Sequence, residues 1–221
     1  LRRFDMNKIV SLDFAMDHVK DGMTLMIGGF LGVGTPEIFI DELIKRELKD
    51  LTIIANDTSF VDKGLGRLIE SKQVKKVIAS HIGTNPETGR QMNEKEMEVE
   101  LVPQGTLAER ARSGGTGLGG VLTPTGLGTM VEEGKQKIEV DGVTYLLETA
   151  LRADVALLLG HKVDKKGNTL YDKSARNFNP LMGMAADTVI MLAENLVEVG
   201  DIDAEHIITP GILVDYIVKG E

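Results

Sequence analysis

The chain has 221 residues, of which 42% are hydrophobic and 27% charged, with no cysteine and no Trp. That is enough apolar material for a packed core, and it excludes disulfides, thiolate nucleophiles and cysteine-based metal sites. A net charge of −9 argues against broad binding to nucleic acid or anionic membrane, but leaves room for a local anion site built from backbone N–H groups.

The elements follow in chain order. Leu1–Asp5 precede Met6 and carry no apolar h-region, so no signal peptide is read. Translation is expected to begin at Met6, with residues 1–5 an added extension. No apolar run approaches the roughly 20 residues of a membrane span. Together with the cysteine-free composition this predicts a cytoplasmic protein. Ser11 caps a short helix reaching about His18. Thr24-Leu25-Met26-Ile27 reads as a buried strand that ends in Gly28-Gly29. Thr35-Pro36-Glu37 then opens a helix, with Thr at the N-cap, Pro at the first position and an acid in the first turn. Ile38, Ile40, Leu43 and Ile44 form its apolar face. Thr52–Ala55 is the next strand, completing a strand–loop–helix–strand unit.

Strands follow at Lys76–Ala79 and Glu98–Val102, and a helix near Thr106–Arg112. Residues 114–129 hold seven of the chain's 25 glycines and read as a long irregular loop: a flexible surface segment, a functional loop, or an element ordered by a partner. Lys137–Val140 and Val143–Leu147 flank Asp141-Gly142, a hairpin with a type I′ turn. Strands recur at Val155–Leu159, Thr188–Leu192 and Ile212–Tyr216. No internal repeat or linker interrupts the pattern. The expected architecture is one domain over 1–221 of the α/β class: a mainly parallel open sheet with helices on both faces and an added β-hairpin.

Candidate binding positions sit where strands end. Gly28, Gly29, Phe30, Leu31, Gly32, Val33 and Gly34 lie between a strand and a helix, at the edge where open α/β sheets bind ligands. Glycines admit a ligand close to the backbone, and a helix N-terminus favours an anion. The spacing is neither G-x-G-x-x-G nor a Walker loop, so a plain tight turn stays open. Asn56 and Asp57 follow one strand and Gln104 another; each is either a polar group facing the crevice or ordinary turn chemistry. Arg176, in Ser174–Asn179, is either a bidentate carboxylate grip or a structural ion pair. His18, His81, His161 and His206 show no metal-ligand spacing, and there is no nucleophile elbow. The chain offers cradles without a chemical group to use in them.

Asp21–Pro36 resembles the α-subunit signature of the family I CoA-transferases: D-G, two residues, three apolar residues, G-G-F, three residues, G-x-P. Further matches are Pro103–Arg110, Thr123–Gly126 with Gly128-Thr129, and Lys173–Asn179, so the likeness runs from about Met6 to Tyr216. It extends to acetate, acetoacetate and butyrate CoA-transferase α subunits and to the N-terminal half of fused 3-oxoacid enzymes. The resemblance implies ping-pong transfer of CoA between short-chain acids, through a glutamyl-CoA thioester. It implies that the attacking glutamate, in an E-N-G context, belongs to a partner β subunit, usually in an α₂β₂ heterotetramer. Here Glu194-Asn195 is followed by Leu196, so no catalytic nucleophile is assigned to this chain. CoA is then a co-substrate, with no tightly bound cofactor and no metal. Gly28–Gly34 becomes the CoA-associated loop, Asn56 and Gln104 line the acyl or carboxylate pocket, and 114–129 lies at the subunit interface. Where the family often has a second Asn, this chain has Asp57, an added negative charge that must be paired or turned away. The competing readings are a stand-alone small-anion or sugar-phosphate sensor and a nucleotide-dependent dehydrogenase.

Overall fold

The structure is a computed structural model that describes residues 7–220; the expectation about residues 1–5 lies outside them. Ser11 accepts a hydrogen bond from the Phe14 N–H and starts α1 (Leu12–Met16). Strand β1 (Thr24–Ile27) follows, then α2 (Glu37–Lys45), β2 (Leu51–Ile54), α3 (Leu65–Glu70), β3 (Val74–Ala79), α4 (Pro86–Asn93), β4 (Glu98–Leu101) and α5 (Gln104–Thr116). The second half carries β5 (Gly120–Thr123), β6 (Lys137–Val140), β7 (Val143–Thr149), β8 (Ala153–Asp164), β9 (Thr169–Leu170), α6 (Asn179–Met182), β10 (Ala186–Val197) and β11 (Tyr216–Lys219).

Leu25, Met26 and Ile27 of β1 are all buried, because parallel neighbours and helices cover the strand on every side. The main sheet has eight strands in the order β11-β10-β8-β1-β2-β3-β4, with β9 antiparallel beside β8. All its other pairings are parallel. From β1 the chain steps outward to β4; from β8 it steps outward the other way to β11. The β1–β8 boundary is therefore a topological switch point, where the loops leaving the strands diverge and open a crevice.

Two apolar layers enclose the sheet. Met16, Phe39, Ile40, Leu43, Leu68 and Ile69 pack on one face, and Leu107, Ala111 and Met182 on the other. One edge is covered by the N-terminal segment: Val10 N–H donates to the Ile217 carbonyl at 2.9 Å and Ile217 N–H to the Lys8 carbonyl at 2.8 Å. A separate antiparallel sheet, β5-β7-β6, stands against α5. Its hairpin turns at Asp141 and Gly142, whose φ angles of 51° and 77° are those a type I′ turn requires.

Several expectations need correction. Pro36, not Thr35, caps α2, with no side-chain cap bond, and Phe39 joins the buried face while Ile38 and Ile44 are only half-buried. The 114–129 stretch is not a continuous loop: α5 runs through it to Thr116, Gly117 closes the helix at φ 78°, and β5 follows. The expected strand at Ile212–Tyr216 begins only at Tyr216. A 3₁₀ turn occupies Gly211–Leu213, and its Gly211 N–H donates to Asn168 Oδ1 at 2.8 Å. Helices α3 and α4 were not anticipated.

Candidate functional site

At the carboxyl end of β1 the backbone folds into a very tight turn. Phe30 N–H and Val33 N–H each donate to the other's carbonyl, at 3.0 and 2.9 Å, so Leu31 and Gly32 form a two-residue hairpin turn. Both have positive φ, 48° and 86°. Such a conformation costs a branched residue like Leu about 1–3 kcal/mol, and persists only where the surroundings hold it. Here the hold comes from Asp57, whose Oδ2 accepts the Leu31 N–H at 3.0 Å. The turn leaves Phe30 and Val33 45% and 48% exposed.

The loop is clamped from behind by the segment before α6. Asn177 Oδ1 accepts from Gly29 N–H at 3.3 Å, and its Nδ2 donates to the Val33 carbonyl at 2.9 Å. Asn179 is fully buried; its Oδ1 accepts from Leu159 N–H at 3.1 Å and its Nδ2 donates to the Gly34 carbonyl at 3.0 Å. A Cβ on Gly28 would lie 1.9 Å from Asn179 Oδ1, so that glycine is required by close approach. Arg176, in the same segment, is exposed and makes no ion pair among the described residues. The first turn of α2 is not an open anion cradle: Glu37 N–H and Phe39 N–H are spent on the Thr35 and Pro36 carbonyls.

The loops after β2, β3 and β4 bring the remaining polar groups together. Asn56 is completely buried; its Nδ2 donates to Asp57 Oδ2 at 2.7 Å, and its Oδ1 accepts from Gln104 Nε2 at 2.6 Å. Gln104, the exposed first residue of α5, accepts at Oε1 from Ser80 Oγ at 2.5 Å. Asp57 also accepts the Ser59 N–H at 2.7 Å through Oδ1. Its charge is thus 4% exposed and answered by three N–H donors, which removes the conflict with an anionic ligand. One hydrogen-bonded line runs from the glycine turn through Asp57 and Asn56 to Gln104, crossing the ends of adjacent strands.

Sequence reading found the glycine loop, Asn56 and Gln104, and the structure joins them. It missed Ser80, the two clamping asparagines as structural groups, and Thr58 and Ser59, whose hydroxyls are buried with no partner among the described residues. For Ser80, Thr58 and Ser59 the one available signal was position, shortly after β3 and β2; the two asparagines lie in the Ser174–Asn179 segment that the sequence singles out for Arg176. Among the described residues no cluster could hold a metal ion. Glu194 is exposed and bonded at 2.9 Å to His161 Nδ1.

Residues 9–220 match the family described as coenzyme A transferase. The chain belongs to that family. It is 56% identical, over 97% of both chains, to the acetate CoA-transferase subunit alpha of Escherichia coli strain K12. It is likewise 56% identical, over 96% of this chain and 98% of the other, to the acetoacetyl-CoA:acetate/butyrate CoA transferase alpha subunit of Clostridium acetobutylicum. In fold it is similar to an acyl-CoA transferase from E. coli O157:H7 solved as a thioester complex with CoA. That match has a TM-score of 0.88 at 21% identity and covers 97% of this chain and 47% of the other. The chain is therefore an alpha subunit of a CoA-transferase. Nothing in these relationships supports the sensor or dehydrogenase readings.

CoA is the family's co-substrate. At these strand ends the structure exposes the Gln104 amide and two apolar side chains, Phe30 and Val33, while the Asn56 amide nitrogen is buried and spent on Asp57.

Proposed function

We propose that this chain shapes the acyl-CoA pocket of a two-subunit transferase that moves CoA between short-chain acids: acetate, butyrate or acetoacetate. The observation that carries this is the identity of 56% along nearly the whole chain to alpha subunits named for those acids. In this reading Gly28–Gly34 lies against CoA, and Asn56 and Gln104 line the acyl or carboxylate pocket. The attacking glutamate belongs to a β subunit in a heterotetramer of two α and two β chains, and the whole of this chain is one α-subunit domain. Its acidic, cysteine-free composition supports a cytoplasmic setting.

The chemistry balances without an added cofactor. The partner's carboxylate attacks the acyl-CoA carbonyl and expels the CoA thiolate, leaving a mixed anhydride. The thiolate then attacks the glutamyl carbonyl, giving glutamyl-CoA and the first free acid. A second acid reverses the sequence and leaves as its CoA ester. Each attack places negative charge on a carbonyl oxygen. Exposed amide N–H groups such as that of Gln104 stabilise such an oxygen. Contacts to the long CoA tail hold the thioester in place and can be drawn on at the transition state.

The test is reconstitution. Alone, the purified chain will not exchange CoA between acetyl-CoA and butyrate or acetoacetate. With a β chain bearing Glu-Asn-Gly it will. Robust turnover by this chain alone would defeat the division of labour.

A further inference from the structure

The line of hydrogen bonds from Asp57 to Gln104 has a direction, and that direction is set at one end. A carboxylate only accepts, so Asn56 must turn its amide nitrogen toward Asp57 Oδ2, 2.7 Å away. This leaves Asn56 Oδ1 facing Gln104, which must answer with Nε2 at 2.6 Å. Gln104 Oε1 then meets Ser80 Oγ at 2.5 Å. The Ser80 hydroxyl sits between two acceptors, Gln104 Oε1 and the Asn56 backbone carbonyl at 2.7 Å, and that carbonyl also accepts the Ser80 N–H at 3.0 Å, so Ser80 can meet Gln104 only as a donor to its Oε1 in this arrangement. Every amide along the line is thereby fixed in one of its two orientations. Gln104 Nε2 carries a second N–H, with no partner among the described residues, on a residue that is exposed.

We infer that Asp57 is a positioning residue: its carboxylate fixes the Asn56 amide, and through it makes Gln104 turn an N–H, not a carbonyl oxygen, toward the acyl group. This rests on the pocket assignment proposed above. The reverse orientation is reachable. Without an acceptor at position 57, nothing holds Asn56 Nδ2 in place, and the Leu31 N–H that shares Asp57 Oδ2 with it loses its acceptor as well. The Asn56 amide is then free to turn its Oδ1 toward that N–H and its Nδ2 to Gln104, and Gln104 inverts in turn. A donor to the developing oxyanion is then replaced by a lone pair that repels it. The same carboxylate holds the Leu31 turn, so the glycine loop and the amide pair are set by one group.

The experiment uses the assembled two-subunit enzyme and a double-mutant cycle on kcat. Asp57→Ala is expected to lower kcat at least about tenfold, given the 10²–10³ typical of losing one oxyanion donor, while KM for acyl-CoA moves less. Asp57→Asn, which keeps an amide oxygen for Asn56, is expected to lose less. In a Gln104→Ala background either substitution at 57 is expected to lower kcat by clearly less than it does with Gln104 present, because the group it orients is already gone and only the hold on Leu31 remains to be lost. Gel filtration and thermal melting of each assembly identify folding defects, and Asp57→Asn carries the cycle if Asp57→Ala does not assemble. Losses that add across the cycle, or wild-type kcat in Asp57→Ala, overturn the proposal while leaving the transferase reading intact. Absence of turnover in the wild-type assembly overturns both.

Discussion

Single atoms decide whether the loop after β1 can exist. The hydrogen that stands in for a Cβ on Gly28 is what lets the Asn179 amide reach Leu159 and Gly34 at once. Asn179 cannot move aside, since its nitrogen also donates to the Ala175 carbonyl at 2.9 Å. Gly28→Ala is therefore expected to cost about 1–3 kcal/mol, the usual penalty for overfilling a packed site. A urea titration of the isolated chain, with an unchanged slope and a lowered midpoint, checks it; an unshifted midpoint counts against the clamp. That Gly28 mattered was legible in the sequence from the signature itself. That an asparagine some 150 residues later was the reason was not, because the pairing exists only after the chain has folded back across β8.

At the scale of elements, charge ties together pieces that the pattern of apolar residues leaves separate. Glu148 of β7 is 1% exposed and bonded to Lys135 at 2.6 Å, with Arg110 of α5 at 3.9 Å. Arg110 also donates to the Thr149 carbonyl at 2.7 Å and to Glu100 of β4 at 2.7 Å. Burial opposes ionisation of Glu100, but the Arg110 guanidinium outweighs it and holds the carboxyl below its ordinary range. Lys135 still answers Glu148 and Lys76 still answers Glu100 when Arg110 is removed, but the Thr149 carbonyl and one Glu100 oxygen lose their donor, so Arg110→Met is expected to destabilise by about 1–3 kcal/mol. Hydrogen exchange will rise first in β5 and β7. A second cluster lies on the surface. Arg90 of α4 bonds Glu87 and Glu96, holding both carboxyls at about 2. A folded pKa below the unfolded 4.5 gives stability that is full above 4.5 and fades as pH falls toward 2. Arg90→Gln is expected to flatten that acid-side decline, by less at high salt. Denaturation midpoints at neutral and acid pH measure it; an equally steep decline in the variant rejects the pairing.

At the scale of the molecule, the small β5-β7-β6 sheet and its connections leave apolar side chains in solvent. Leu118, Leu122, Met130, Val140 and Val143 are all exposed, Met130 by 81%. No helix among the described residues is long and apolar enough to cross a membrane. We propose that this exposed apolar set is where the β subunit docks. With the β subunit bound, hydrogen exchange is expected to slow at 118–122 and around Met130, and to stay unchanged on α3 and α4. Protection confined to α3 and α4 would move the interface to the opposite side.

The sequence by itself determined the class of fold, the β1 boundary, the Asp141-Gly142 turn, the family and the positions of the glycine loop, Asn56 and Gln104. These are local features: apolar runs, positive-φ turn residues and a contiguous signature, each legible within a few residues. It did not reveal α3, a six-residue helix with no side-chain cap bond, or α4, whose two buried positions, Thr88 and Gln91, are polar. It also made Ile212–Tyr216 a strand, because a short apolar run reads as one, whereas the chain there makes a 3₁₀ turn whose Gly211 is bonded to Asn168. Only the tertiary structure decided that Asp57 faces inward. Its three donors come from Leu31, Asn56 and Ser59, and the loop that supplies the first lies across a strand boundary. A hydrogen bond between residues distant in the chain leaves no mark on either neighbourhood until the sheet brings its strand ends side by side.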